Sequence, residues 1–357
     1  MYWILKKLSS MFITLYGVVT IIFFLFNVLP GDPAQMMLGQ NENSEQLEIL
    51  KKKYGFDKPV AVQYLYYIND LSPFSLHFKD SNNISYIDDG KYNFINLFDF
   101  KKFQLVIKLP YLRESYQKNG VLVSEIIKNT LPNTIVLAIS SISIAVFLGL
   151  FLGIFSAINK NSWLDYSIQI FSTLGMSVPS FFSAIIFAWI FGFVLNEYTG
   201  LNMTGSLYEL DDFGDKLTLN FYNLILPSLV LGIRPVAVIS QMMRNSLLKE
   251  LSKNYIRTAY SKGLSKFRII RDHAIKNSLN PVITALSGWF ASMLAGSVFV
   301  EYIFGWNGLG KEIVNSLNNL DVPVLIGSVI VIAFIFILIN IFVDIIYSIL
   351  DPKIKLD

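Results

Sequence analysis

Residues Val322 to Leu350 read VPVLIGSVIVIAFIFILINIFVDIIYSIL, and this stretch decides the class of the protein. It contains one acidic side chain, Asp344, and no basic one. A helix of about 20 mostly apolar residues is long enough to cross the hydrocarbon core of a bilayer, where every backbone amide must be satisfied within the segment. The stretch therefore predicts a transmembrane helix.

Five other stretches have the same character. The six predicted spans cover Leu8 to Leu29, Leu131 to Ile158, Ile168 to Leu195, Leu224 to Met243, Pro281 to Phe304 and Val322 to Leu350. Of all 357 residues, 53% are hydrophobic and 15% are charged, whereas a soluble domain has about 25% charged residues. We therefore expect an all-α polytopic membrane protein with six transmembrane helices and an extracytoplasmic insert after the first helix.

This pattern divides the chain into three expected parts: an N-terminal signal-anchor helix over 1–30, an extracytoplasmic loop or insert over 31–129, and a five-helix core transmembrane domain over 130–357. The first stretch follows Lys6 and Lys7 and is longer than the apolar region of about 7 to 15 residues in a cleaved signal peptide, which predicts an uncleaved anchor. The composition of 72–119 indicates a small folded insert of unassigned fold.

Basic residues concentrate between the fourth and fifth spans. Nine lysines and arginines lie from Arg244 to Lys276, against two acidic residues, whereas the connection between the third and fourth spans is acidic with Lys216 as its one base. Short loops rich in lysine and arginine lie in the cytoplasm. The bias predicts a multi-pass membrane protein with both termini in the cytoplasm.

The composition also limits the chemistry. The chain has no cysteine and two histidines, so disulfides and thiolate sites are excluded and a zinc site is not expected. Gly305 to Lys311 approaches a phosphate-binding loop, but Glu312 stands where such a loop needs serine or threonine. We expect no catalytic, cofactor-binding or metal-binding residues, and the net charge of +3 indicates no nucleic acid partner.

The cytoplasmic loop over 245–280 has a pattern of its own. One helical stretch ends near Gly263, and a second follows with Phe267 among basic residues. A glycine at such a junction allows a left-handed backbone, so two short helices can project as an elbow. Apolar groups surrounded by basic ones suit docking into a groove of a soluble partner, and they equally suit a helix that lies on anionic lipid. The spacing leaves both interpretations open.

The sequence YIRTAYSKGLSKFRIIRDHAIKNSLNPV, which starts at Tyr255, resembles the coupling loop of permease subunits of binding-protein-dependent ABC importers, in the form of the dipeptide, oligopeptide and nickel group. In that family a glutamate-alanine-alanine signature, followed by three residues and a glycine, inserts into a cleft of the ATPase subunit. The signature falls here on Arg257, Thr258 and Ala259, with Gly263 as the glycine. The isoleucine-x-leucine-proline that follows in many relatives is absent.

Other segments carry the same resemblance. LPGDPA at Leu29 to Ala34 and the segments 54–59, 305–310 and 343–352 are similar to the first-type permease of peptide importers, such as the oligopeptide and dipeptide permease B subunits. The resemblance covers most of the chain, apart from 72–112 and 199–220.

This resemblance implies a transport subunit that is not an enzyme. It would lie in the bacterial cytoplasmic (inner) membrane, surrounded by membrane lipid, and form half of a translocation pathway for peptides or similar small solutes. The implied partners are a second homologous permease subunit, two cytoplasmic ATPase subunits and an extracytoplasmic substrate-binding protein. The expected ATPase-coupling interface consists of Tyr255, Arg257, Thr258, Ala259, Gly263, Leu264 and Phe267.

Three residues within spans are candidates for lining the pathway. Arg234, beside a proline, could meet a peptide carboxylate or pair inside the bundle, and Ser177 with Pro179 could form a polar pore face or a helix interface. Two other function classes remain: an ion-coupled secondary transporter, which usually has midspan carboxylates and inverted repeats, and a membrane scaffold that recruits cytoplasmic partners.

Overall fold

The computed structural model describes residues 2–28, 33–38, 44–80, 83–87, 93–118, 120–211 and 215–350. Leu29 to Asp32 of the LPGDPA motif lie outside the described residues, as does 351–357. The chain forms two compact units. The core unit comprises Thr130–Val314 with Met1–Ser9 and Ile332–Asp357, and the insert unit comprises Ser10–Asn129 with Asn315–Val331.

Long apolar helices dominate the chain. Within the described ranges four helices are long and apolar enough to cross a membrane, and the number reaches six if each of two bent helix pairs is one span. The four are α1 (Tyr2–Val28), α5 (Val123–Ile158), α9 (Tyr222–Leu251) and α14 (Val322–Leu350). One bent pair is α6 (Trp163–Ser177) with Ser180–Val194, which contains α7 (Ser180–Trp189). The other is Lys266–Ile283, which starts with α11 (Lys266–Arg268), with Gly288–Ile303, and its bend of 41° lies within α12 (Ile275–Ile303). The prediction of an all-α polytopic membrane protein is confirmed.

Shorter elements connect these helices. They are α2 (Pro33–Leu38), α3 (Ser44–Tyr54), α4 (Val60–Leu71), α8 (Asn196–Thr199), α10 (Asn254–Ser261), α13 (Leu309–Asn318) and two π-helical segments, Ile190–Val194 and Ile269–Ala274. A small hairpin of β4 (Tyr208–Leu210) and β5 (Leu217–Leu219) lies in the acidic connection of the core unit.

The third predicted span is not one straight helix. Helices α6 and α7 meet at an angle of 108°. Val178 adopts an extended backbone with ψ of 129°, as expected for a residue before proline, and Pro179 has no N–H with which to continue the helix. Hydropathy alone does not detect this break, because the residues on both sides of it are apolar.

The core unit contains two apolar clusters. One surrounds the fully buried Trp306 and the neighbouring Phe304, with buried residues from α5, α7, α9 and α12. The other joins Met243 and Leu247, near the end of α9, to α10 and to the second π-helical segment. Helix α9 runs eight residues beyond its predicted end at Met243, to Leu251. The second cluster therefore packs the short helices of the loop over 245–280 directly onto a long apolar helix.

The insert unit contains the sheet that the sequence left unassigned. Strands β1 (Phe74–Phe78), β3 (Phe103–Lys108) and β2 (Phe94–Asp99) are antiparallel in the order β1-β3-β2, with a register shift between Asn96 and Phe98. Helix α4 precedes the sheet and packs against α1. The phenol oxygen of Tyr64 lies 2.6 Å from Thr20 Oγ1, and the ring of Phe23 lies 5.3 Å from that of Tyr64.

Candidate functional site

The elbow, defined here as residues 254–274, begins with α10. Ile256 and Ala259 are buried, whereas Arg257 and Thr258 between them are exposed. Residues three apart lie on the same face of a helix, and this apolar face packs into the second cluster of the core unit. The arrangement fixes one side of α10 to the helix bundle and turns the other side outward.

Gly263 ends α10. Its φ of +76° lies in the left-handed region, which costs a residue with a Cβ about 1 to 2 kcal/mol. Its N–H donates to the carbonyl oxygen of Tyr260 at 2.9 Å, and the N–H of Leu264 donates to that of Ala259 at 3.3 Å. A Cβ at Gly263 would meet no heavy atom within 4 Å. Backbone conformation, and not space, therefore favours glycine here.

A polar network ties the start of the elbow to the bundle. The hydroxyl of Tyr255 donates to Glu250 Oε2 at 2.7 Å and accepts from Asn277 Nδ2 at 3.1 Å. Lys253 Nζ lies 2.5 Å from Glu250 Oε1, and this hydrogen bond raises the pKa of Lys253. Tyr255 thus links α9 to the start of α12 across the base of the elbow.

Phe267 lies on the outward side of the elbow, with 71% of its surface exposed. The guanidinium of Arg271 lies 5.5 Å from the centre of its ring. Lys266 and Arg268 flank it and are also exposed. An exposed phenylalanine among cations forms a surface suited to an apolar groove with acidic walls.

The seven predicted interface residues therefore separate by position. Tyr255, Arg257, Thr258 and Phe267 are exposed, and Gly263 forms the turn. Ala259 is 7% exposed and Leu264 is half-buried, so both anchor the elbow to the bundle. The sequence motif does not separate these roles, because it does not show which face of α10 is buried.

An ion pair that the sequence did not predict lies in the same unit. Asp165, in the first turn of α6, is fully buried and accepts two hydrogen bonds from the guanidinium of Arg244. Ser156 Oγ donates to Asp165 Oδ1 at 2.5 Å, and the N–H of Asn161 donates to Oδ2 at 3.0 Å. By sequence, Arg244 is the first of the nine bases that predict a cytoplasmic loop. The isolated Asp165 beside an apolar stretch indicates that a carboxylate there needs a partner, but it does not say which base supplies it.

The glycine-rich segment that approached a phosphate-binding loop has a carboxylate of its own. Glu301 is fully buried, and its Oε2 accepts from the N–H groups of Gly310 at 2.7 Å and Lys311 at 3.2 Å. A Cβ on Gly308 would lie 2.3 Å from the same oxygen. These N–H groups belong to the first turn of α13, where a negative charge is favourable. Glu301 thus occupies the position that a phosphate would need.

The three pathway candidates lie in one region of the core unit. Ser177 and Pro179 are exposed at the break between α6 and α7, and Arg234 is exposed on α9. The end of α6 packs against the helical turn of α9 that contains Arg234, because a Cβ on Gly175 would lie 3.0 Å from the side chain of Ile233. Within the described part of the chain, no hydrogen bond or ion pair of the Arg234 guanidinium is present.

Two protein-family profiles match this chain. The sequence profile described as "Binding-protein-dependent transport system inner membrane component" matches residues 149–356, and that of its N-terminal region matches residues 1–79. The chain belongs to this family. The first match includes the whole elbow and both long helices to which it is anchored.

Relatives of this transport component match over nearly their whole length. The dipeptide transport system permease protein DppB of Alkalihalophilus pseudofirmus is 31% identical over 364 residues, which cover 98% of this chain and 98% of that protein. The DppB protein of Bacillus subtilis is 31% identical over 354 residues, which cover 99% and 98%. A putative peptide permease protein of Brucella suis is 30% identical over 343 residues, which cover 96% and 95%.

A solved structure shares the fold of this inner membrane component. It is a chain of the MetNI methionine ABC transporter in an inward-facing conformation, with a TM-score of 0.51 and 14% identity, which covers 64% of this chain and 97% of that one. Together, the family match and the fold confirm the predicted class. The protein is a permease subunit of an ABC importer and not an enzyme, and the family supports neither of the alternative classes. Membership implies ATPase, second-permease and binding-protein partners.

Proposed function

We propose that the elbow is the surface through which cytoplasmic ATPase subunits drive this permease, and that its cargo is a peptide. One observation carries the first part: the elbow is apolar and anchored on one side, with Ile256 and Ala259 buried, while Phe267 stands exposed among cations on the other. To transmit movement, the elbow needs a rigid attachment to the transmembrane helices and an accessible surface for the ATPase.

The anchored side indicates how a displacement would be transmitted. Ile256 and Ala259 pack in one cluster with Met243 of α9 and with Ala274, the residue before α12. Close-packed side chains transmit displacement, because they have little free volume in which to absorb it. When the ATPases close, the elbow and the ends of α9 and α12 would therefore shift together as a rigid body.

The assembly we propose has two permeases, two cytoplasmic ATPases and an extracytoplasmic binding protein. The second permease is homologous to this chain, and the two enclose the pathway between them. Both termini and the elbow lie in the cytoplasm, and 31–129 forms the extracytoplasmic insert between the anchor over 1–30 and the core domain over 130–357. The nine bases from Arg244 to Lys276 support this orientation.

The cargo follows from the relatives, which are named for dipeptides and peptides. Arg234 is a suitable side chain to meet a peptide carboxylate, because it is exposed within a span and a guanidinium binds carboxylates through two parallel hydrogen bonds. We place Ser177, Pro179 and Arg234 on the wall of the pathway.

The coupling proposal is tested by crosslinking from a single thiol. The chain has no native cysteine, so Phe267→Cys introduces its one reactive site. Tyr198→Cys is the matched control, because Tyr198 is 86% exposed but lies in the acidic connection assigned to the opposite face. A short bifunctional crosslinker in native membranes should join the Phe267→Cys variant to the ATPase, as identified by mass spectrometry, and should not join the control. If Phe267→Cys crosslinks only to lipid, the elbow lies on the membrane and the proposal is wrong.

The cargo proposal is tested separately by uptake. Cells that express the complete transporter should accumulate a labelled dipeptide but not its C-terminal amide. Arg234→Gln should raise the half-saturating concentration of the dipeptide about tenfold, since a charged hydrogen bond contributes about 1.5 to 3 kcal/mol. If dipeptide and amide are taken up equally, with and without the substitution, Arg234 does not bind a peptide carboxylate in the pathway.

A further inference from the structure

The sheet of the insert unit has its apolar face exposed. Directly opposed residues of antiparallel strands point to the same face, which here collects eight apolar side chains: Phe74, Leu76, Phe78, Ile95, Phe98, Phe103, Leu105 and Ile107. Phe74 is 64% exposed, Ile95 69% and Phe98 61%. A half-buried antiparallel sheet in water shows the reverse, with its polar face outward.

The opposite face of the sheet is mostly polar, and its residues on β1 and β3 are buried. His77 is fully buried, with Nε2 2.9 Å from Ser75 Oγ and Nδ1 3.0 Å from the carbonyl oxygen of Ser85. The ammonium group of Lys108 donates to the carbonyl oxygen of Asp70 at the end of α4. The protein thus uses the polar face for internal hydrogen bonds and leaves the apolar face to its surroundings.

The sheet starts beside a membrane-crossing helix. The window of α1 that is apolar enough to cross the bilayer is Ser9–Phe26. Leu71, the last residue of α4, packs against the cluster that contains Val19 and Phe23 of this window. Phe74 follows Leu71 by three residues and so lies within about 10 Å of it. The lipid surface is therefore the nearest apolar medium to the first strand.

The turn between β2 and β3 has the composition of a membrane interface. The rings of Phe100 and Phe103 stack with centroids 4.7 Å apart, and Lys101 and Lys102 between them are exposed. Aromatic rings with neighbouring cations are enriched at the level of lipid headgroups. A protein interface, by contrast, usually has a hydrogen bond for about every 100 to 200 Å², and the eight side chains of this face offer none.

We propose that the apolar face of this sheet inserts into the surface of the lipid bilayer, with Lys101 and Lys102 at the level of the lipid phosphates. The insert would then lie against the leaflet that it faces and would not extend into the water. This proposal depends on neither the cargo nor the elbow, so its failure would leave both unaffected.

Two neighbouring positions test it. Ile95 and Asn96 are both exposed in β2, but they oppose Ile107 and Val106 and so point to opposite faces. Ile95→Cys and Asn96→Cys each supply one thiol for a bimane fluorophore, with the cysteine-free parent as the labelling blank. The full-length subunit, in its purified assembly, is reconstituted into vesicles of phosphatidylethanolamine and phosphatidylglycerol that contain a lipid with a nitroxide quencher near its headgroup.

Quenching at Ile95 should exceed quenching at Asn96 by about threefold, because only the first position faces the quencher. Equal quenching at the two positions would overturn the proposal. Protection of the Ile95 label by another transporter subunit, with no quenching by lipid, would assign the face to a protein and also overturn it.

Discussion

Arg244 and Asp165 form a two-point ion pair in the core unit, with Nε 2.7 Å from Oδ1 and Nη2 2.7 Å from Oδ2. Asp165 is fully buried, and the side chain of Arg244 is 15% exposed. The pair joins the first turn of α6 to α9 near the helix end that carries the elbow. It therefore fixes the position of the support on which the elbow rests.

Arg244→Ala should destabilise the protein strongly, because it leaves a buried carboxylate without its cation. Breaking a buried pair on one side costs about 3 to 5 kcal/mol. The midpoint of thermal denaturation in detergent measures the loss. Arg271→Ala is the control, since Arg271 forms an exposed pair with Asp272 and should change the midpoint little. Equal effects of the two substitutions would show that the Asp165 pair has no special role.

Gly263→Val should reduce transport while membrane insertion stays intact. The left-handed φ of +76° at Gly263 is unfavourable for a β-branched residue. Gly263→Asn is the matched control, because asparagine tolerates this conformation and the space around a Cβ is open. In the assembled transporter, the valine variant should lose more uptake than ATPase activity. The asparagine variant should keep the ratio of uptake to ATPase activity. Normal uptake with valine would contradict the coupling assignment.

Gly310→Ala should destabilise the core unit, because the added Cβ would lie 2.6 Å from the backbone of Val298 and 2.9 Å from Glu301 Oε2. Overpacking of this kind costs about 1 to 3 kcal/mol. Gly296→Ala is the control, since a Cβ at Gly296 would meet nothing within 4 Å. Thermal midpoints of both variants in detergent test the difference, and a stable Gly310→Ala variant would argue against close packing around Glu301.

Lys108→Met should change how stability depends on pH. Burial lowers the pKa of Lys108 to about 8, and the nearby Asp70 opposes this shift. An unfolded lysine has a pKa of about 10.4, so between pH 8 and about 10.4 the unfolded state binds more protons and the free energy of unfolding rises with pH. The wild type should therefore gain stability relative to Lys108→Met across this window.

Thermal midpoints at pH 7.5 and pH 10 measure the gain. Lys102→Met, which alters an exposed lysine in the turn between β2 and β3, is the control. A constant difference between wild type and Lys108→Met at the two pH values would contradict burial of the Lys108 ammonium group.

The sequence by itself determined the features that depend on local chain chemistry. Long apolar runs form helices in lipid whatever they pack against, so the spans were predictable. The turn at Gly263 was predictable as well, because a left-handed φ depends on the residue that adopts it. The elbow motif was likewise contiguous along the chain.

Only the tertiary structure decided which distant groups meet. Asp165 and Arg244 are 79 residues apart along the chain, and neither has a local signature that names the other. The angle of the break at Pro179, the buried position of Ala259 and the outward apolar face of the sheet were also beyond prediction. Burial and pairing depend on which elements come to lie side by side, and hydropathy records the character of each element but not its neighbours.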